Sequence, residues 1–456
     1  MNHPRKRRAL SSLSLGLLAA LLPVSLVSPA QTGTLAGNVQ ALPAPIADES
    51  PARPRTSPLA PGFDVAGFEA IARHLTDNGR VPGMAMAIVH DGQVLSARGY
   101  GVTDVNRPEP IDAHTVFRLA SLSKAFAGTM TGLLVNDGVL RWDSKVTDFL
   151  PDFRLSSPEA TRRLTVADLV SQRSGLGHNA YDPDLEANAD YRSLVRKMAY
   201  TPLACMPGDC YGYQNVAFSL VGDIAFNASG SFYEQLVERR IFKPLGMNDA
   251  SLGLAGIEGS PRWARPHVRG GHGWVPLTPK PAYYRVAPAA GVNASISDMA
   301  QWLVAHTGHR PDVLPAPLLA TLHAPLISTP GERRAGWRRE RISEAGYAIG
   351  WRVFEYAGHR VVFHAGAVQG YRGMIAMIPD EDFGTVILWN SESPLPSGLL
   401  PTILDRALGL PARKWMDIDT GFGDDTLYVE RGKPQESRGV QAVGGGSPTR
   451  SKASPR

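Results

Sequence analysis

One stretch limits the folds open to this chain more than any other. From about Ser121 to Asn136, the residues Leu122, Phe126, Met130, Leu133 and Leu134 recur at helical spacing. A helix that is apolar on so many sides belongs in the middle of a molecule, with other elements packed around it. Asp137-Gly138 closes it.

The flanking segments supply those elements. Phe63 to Asn78 has helical spacing in Phe63, Phe68, Ile71 and Leu75. Val81 to Val89 reads as a buried strand, Asp91-Gly92 as a hairpin turn, and Gln93 to Tyr100 as the returning strand. Residues 141–280 carry short helical patterns at Val166–Gln172, Tyr191–Ala199, Gln214–Phe226 and Phe232–Phe242, between Pro/Gly/Asp loops. Ser260 to Tyr284 is irregular and reads as a surface wrap, with a substrate-facing loop as the alternative. Ser297 is expected to cap a helix through His306. Strand patterns then return at Tyr347–Tyr356, Arg360–His364, Arg372–Ile378 and Phe383–Trp389, joined by tight turns, before a last amphipathic helix over Pro396–Leu408. Strands, buried helix, helical insertion and strands again imply one sheet built from both ends of the chain, with helices against it. The expected division is 62–140 with 281–412 as the sheet-and-helix domain and 141–280 as a helical subdomain.

The two ends read differently. Arg5-Lys-Arg-Arg8, an apolar run from Leu13 to Val27 and the small residues Ser28-Pro-Ala30 have the order of a secretory signal peptide over residues 1–30. Residues 31–61 are a Pro/Ala/Gly-rich linker, and 431–456 a Gly/Ser/Pro/Arg-rich tail expected to be disordered. This predicts an exported protein, periplasmic or secreted, with no stable membrane span after cleavage. The net charge of +5 belongs to these ends, and the body between them is acidic. With no basic patch interleaved with aromatics, nucleic acid is excluded as an expected partner. The two cysteines, Cys205 and Cys210, flank Pro207-Gly208, and an exported chain permits a disulfide between them. Two free thiols are the alternative, and no metal site is expected.

Three polar clusters carry the chemistry. Ser121 and Lys124 stand one helical turn apart, which stacks their side chains on one face. A serine hydroxyl needs a base within hydrogen-bond reach, and a lysine is one only when burial or nearby cations lower its pKa. Tyr213 and Asn215, leading into a helix, offer a phenol that passes a proton and an amide that orients a substrate or Lys124. His364, Gly366 and Ala367 lie at a strand end, where Gly366 permits close approach and the Ala367 N–H can join that of Ser121 in an oxyanion hole.

Taken in this order, the clusters resemble the serine beta-lactamase and penicillin-binding protein superfamily. The branch they are most similar to is the class C-like one, with its D-alanyl-D-alanine carboxypeptidases, D-aminopeptidases and esterases. The motifs S-x-x-K (Ser121, Lys124), Y-x-N (Tyr213, Asn215) and K/H-x-G (His364, Gly366) match over roughly residues 62–410. Val81-Pro-Gly83, Ser174-Gly175-Leu176, Pro244-Leu-Gly-Met247 and Gly350-Trp351 match its framework. The resemblance implies an α/β (α+β) fold, an antiparallel sheet flanked by helices with an all-helical subdomain. It also implies a serine hydrolase that forms an acyl-enzyme on Ser121 and hydrolyses an amide or ester of a small molecule or peptide, with no cofactor and no metal. In that reading Ser121, Lys124 and Tyr213 are catalytic, the Ser121 and Ala367 N–H groups form the oxyanion hole, and Asn215, His364 and Gly366 bind substrate. Whether Lys124 or Tyr213 is the base stays open. Histidine stands at 364 where typical class C beta-lactamases carry lysine, which favours a peptidase, amidase or esterase. A true beta-lactamase and an inactive penicillin- or peptide-binding module are the alternatives. Arg372 reads as a solvated strand residue.

Overall fold

The structure, a computed structural model, describes residues 58–334 and 336–416. The signal peptide, nearly all of the linker and the tail lie outside the described residues. Within them an antiparallel sheet is flanked by helices and accompanied by a helical subdomain.

Strand alternation explains the layering. The sheet runs β2 (Gln93–Gly101), β1 (Gly83–His90), β13 (Phe383–Trp389), β12 (Tyr371–Ile378), β11 (His359–Val368), β10 (Arg352–Tyr356), β9 (Ile342–Tyr347) and β8 (Ile327–Ser328). All neighbours are antiparallel. Successive side chains point to opposite faces. Ala85, Ala87 and Val89 therefore face one core together with α2 (Ser123–Asn136) and α5 (Ile296–Val304). Met84, Met86 and Ile88 face a second core with α1 (Val65–Asp77) and α6 (Leu399–Ala407). This is why Val81 to Val89 reads as continuously apolar: β1 is covered on both sides.

Helix α2 is buried from Ser123 through Leu134, as its composition requires. Behind it, Phe126 stacks on Trp302 of α5 at 4.0 Å between ring centroids. Its other neighbours are the short helices Ala287–Ala290 and Ala316–Leu322 and, from the helical subdomain, Val166–Val170, α4 (Leu220–Ser229) and Tyr233–Val237, while α3 (Asp182–Glu186) of that subdomain packs on Ala282–Val286.

Several boundaries differ from the sequence reading. The helix after Asn215 begins at Leu220, because residues 216–219 form tight turns with i→i+3 bonds such as Ser219 N–H to Val216 O, 3.1 Å. The cap of α5 is Ser295, not Ser297, in a reciprocal box with Asp298. The run Tyr347–Tyr356 is two strands broken at Ala348–Trp351, where Gly350 takes φ +74° and packs on the Lys124 carbonyl. The stretch Ser260–Tyr284 contains a hairpin, β5 (His267–Gly270) and β6 (Gly273–Pro276). A small sheet of β3 (Phe117–Arg118), β7 (Val292–Ala294) and β4 (Ser251–Leu252) aims the chain into α2.

Candidate active site

The turn that presents Ser121 is built by its neighbours. Leu119 N–H still bonds Val292 O at 3.0 Å, the last link to β7. Ala120 then adopts φ +49°, a left-handed conformation that costs an L-residue about 1 kcal/mol. Ser123 holds it there: its hydroxyl donates to Ala120 O at 2.6 Å and accepts from Val292 N–H at 3.0 Å. The resulting 3-10 turn, Ala120–Leu122, leaves Ser121 half-buried at the mouth of α2.

Lys124 lies in the first turn of α2 and is fully buried. Its Nζ stands 2.6 Å from Asn215 Oδ1, 3.1 Å from Ala289 O and 3.5 Å from Ser121 Oγ, with the Tyr213 ring centroid at 4.6 Å. Burial pushes its pKa well below the ordinary lysine value; Asp182 pulls it back and Arg352 adds to the depression. A neutral amine has two N–H groups and one lone pair. Asn215 Oδ1 and Ala289 O can only accept, so they take the N–H groups and leave the lone pair for the Ser121 hydroxyl.

Tyr213 reaches the pair from a doubly anchored loop. Gly212 N–H bonds Gln172 O, Gln214 N–H bonds Gln172 Oε1, and Tyr213 N–H bonds His178 Nδ1 at 3.1 Å. Cys205 and Cys210 are disulfide-bonded just before it, and Ala204 N–H bonds Gly175 O at 2.8 Å. The phenol is buried. Loss of solvent, reinforced by Tyr347, raises its pKa well above 10, against smaller opposing pulls from Arg352 and a hydrogen bond with Ser121. It stays protonated at neutral pH.

Strand β11 closes the site from the other side. A Cβ on Gly366 would lie 2.3 Å from Leu119 O and 3.1 Å from Ser121 N, so the backbone there touches the serine turn directly. Val368 and Tyr371 flank a two-residue turn and form the hydrogen-bonded pair. Ladder alternation then points the Ala367 N–H away from β12, past the last residue of β11 that pairs with β10, Phe363.

His364 departs from its expected role. It is fully buried, and Nδ1 lies 2.8 Å from Ala365 O, so that nitrogen carries the proton. Nε2 is then an acceptor, facing Tyr347 Oη at 3.3 Å and Arg352 Nη1 at 3.4 Å. Burial, with Arg352 and Lys124 nearby, keeps the ring neutral by pushing its pKa well below 6.5. Both nitrogens are engaged by the protein, so the expected direct substrate contact becomes a supporting one. Arg372, half-buried, donates to the turn carbonyls of Val368 and Tyr371 rather than lying free in solvent.

Residues 68–409 match a family model described as Beta-lactamase. The chain belongs to that family. Its members are serine-hydrolase-related, and the fold agrees with the octameric penicillin-binding protein homologue from Pyrococcus abyssi. That structure is 25% identical, with a TM-score of 0.69, over 77% of this chain and 79% of that one. A D-stereospecific amidohydrolase from Streptomyces sp. shares the fold at 19% identity and a TM-score of 0.57, over 72% of this chain and 95% of that one. Among curated relatives, the unguisins hydrolase ungD' of Aspergillus campestris is 27% identical over 78% of this chain and 68% of its own length. Protein flp of Staphylococcus aureus is 26% identical over 72% of this chain, which spans 63% of that relative.

Two charged residues beside this candidate site escaped the sequence reading. Arg352 lies over the Tyr213 ring at 5.1 Å and pairs with Glu332 at 3.2 Å. Its only sequence signal is that it follows Gly350-Trp351. Asp182 accepts from Asn215 Nδ2 at 2.8 Å; it sits in a loop-like stretch with no periodicity to mark it. Among the described residues, no helix is long and apolar enough to cross a membrane.

Proposed function

We propose that this protein is an exported serine hydrolase that acylates Ser121 and hydrolyses an amide or ester of a small molecule or peptide. The observation that carries the reading is the convergence of Tyr213 on Ser121 and Lys124, some ninety positions earlier in the chain, with a buried amine, its pKa pushed well below the ordinary lysine value, 3.5 Å from the hydroxyl. The relative named as a hydrolase supports the reaction class. The disulfide fits an oxidising compartment and supports export.

In this reading Lys124 is the general base. Ser121 Oγ attacks the substrate carbonyl carbon as its proton passes to Lys124 Nζ. The N–H groups of Ser121 and Ala367 receive the developing oxyanion. Tyr213, whose phenol remains protonated, donates to the departing nitrogen or oxygen and is recharged by the Lys124 ammonium. Water then repeats the sequence in reverse on the acyl-enzyme, and Ser121 leaves with its proton restored. The reaction needs no group beyond these side chains. The neutral His364 offers no fixed positive charge to a substrate carboxylate, which favours a peptidase, amidase or esterase over an antibiotic-hydrolysing enzyme.

Labelling with a fluorescent penicillin, followed by mass spectrometry, tests the site. A lasting adduct on Ser121 is the outcome for a penicillin-binding peptidase, and fast cleavage of p-nitrophenyl esters without an adduct is that for an esterase. Rapid nitrocefin turnover would make it a beta-lactamase. Ser121→Ala is expected to abolish every covalent signal. Labelling that survives this change overturns the assignment.

A further inference from the structure

The arrangement above leaves unexplained why Asn215 turns its oxygen, and not its nitrogen, toward Lys124. The two ends of a carboxamide have nearly the same shape, so neither packing nor size chooses between them. The choice matters. With the amide reversed, its NH2 would face the amine and compete with Ser121 for the only lone pair.

We propose that Asp182 is a positioning residue: it sets the orientation of the Asn215 amide and thereby reserves the Lys124 lone pair for Ser121. The inference rests on the reading of Ser121 and Lys124 given above. Asp182 opens α3, after Tyr181 takes φ +69° and turns the chain inward. Its Oδ2 receives Asn215 Nδ2 at 2.8 Å. An ionised carboxylate has no proton to give, so only the nitrogen end of the amide can face it. The oxygen end is thereby committed to Lys124, at 2.6 Å. Tyr283 braces the carboxylate from outside, its hydroxyl 3.5 Å from Asp182 Oδ2 and 3.0 Å from Glu186 Oε1.

The same carboxylate acts on the amine through its charge. The charges of Asp182 and Arg352 both act on Lys124, with the neutral His364 and Tyr213 rings nearby. Asp182 favours the ammonium and Arg352 disfavours it. Asp182 is itself flanked by Glu186, Tyr283 and Lys124, and burial raises its carboxyl to about 6. Below that pH it gains a proton and can donate, so its hold on the amide is lost on the acid side of neutrality.

The test uses a fluorophosphonate probe, which needs an activated serine but no knowledge of the substrate. Its rate of attachment to Ser121, located by mass spectrometry, is followed from pH 5 to 9 in the wild type, Asp182→Asn and Asp182→Glu. An asparagine at 182 can pair with either end of the Asn215 amide and carries no charge. The expected result is a loss of at least about tenfold in the labelling rate of D182N, with its acid limb moved to lower pH, and partial recovery of both in D182E. Thermal melting identifies variants that merely unfold. Equal losses in D182N and D182E with the limb unmoved, or a D182N profile that superimposes on the wild type, would overturn the inference. A wild type that never labels at Ser121 instead overturns the serine-hydrolase reading beneath it.

Discussion

Gly366 sets how near β11 can come to the turn that carries Ser121. An added methyl would meet a backbone oxygen, Leu119 O, which cannot swing aside as a side-chain tip can. Gly366→Ala is therefore expected to lift β11 from the serine turn by a fraction of an ångström and to slow Ser121 acylation about a hundredfold. A normal urea midpoint alongside a normal labelling rate would show that the strand has more room than this geometry allows. At this scale the sequence was informative wherever chemistry and backbone demand coincide. Ser121, Lys124, Tyr213 and Asn215 were legible because each stands at a fixed step from a turn or helix start. Asp182 and Arg352 were not, because their part comes from being buried beside those four, and burial partners far apart in the chain leave no spacing to read.

Among the elements, α2 and β1 were legible because each is covered on all sides and shows it as an unbroken apolar run. The segment Tyr347–Tyr356 reads as one strand because its apolar run continues unbroken through Ala348–Trp351, and only the close packing of Gly350 on α2 reveals the break. The hairpin at 267–276 was missed because β5 and β6 are four residues each and flank glycines rather than an apolar alternation. The loop ahead of Tyr213 depends on both its hydrogen bonds to 172–176 and its disulfide. Closing so short a loop contributes about 2 kcal/mol in the chain-entropy account. The double change Cys205→Ser, Cys210→Ser should lower the unfolding free energy by about that amount, measured by urea titration. The labelling rate should fall less than in G366A, since backbone bonds still hold Tyr213.

For the molecule as a whole, acid should act through buried histidines. His306 and His323 lie behind α2, Nδ1 to Nε2 at 3.0 Å, and burial holds His306 well below 6.5 and brings His323 down to about 3. The unfolded chain binds protons at these positions below about pH 6.5 while the folded one does not, so their contribution is complete above that pH and is lost as pH falls. Asp182 and Asp298, both raised to about 6, work in the opposite direction between about pH 6 and 3.8. Comparing variants separates the two effects. His323→Gln should lose less stability than the wild type between pH 6.5 and 4, by up to about 1.4 kcal/mol for each pH unit; parallel pH curves for the two proteins would refute this. The pairing of β1 with β13 carries one more consequence. Thr385 Oγ1 bonds Ala87 O across 298 positions of sequence. A growing chain therefore keeps that edge of β1 without its neighbour until residues 383–389 of 456 are made, and a product stopped before Phe383 would leave it open to pairing with another copy. Truncated forms should accumulate as aggregates rather than as folded monomers.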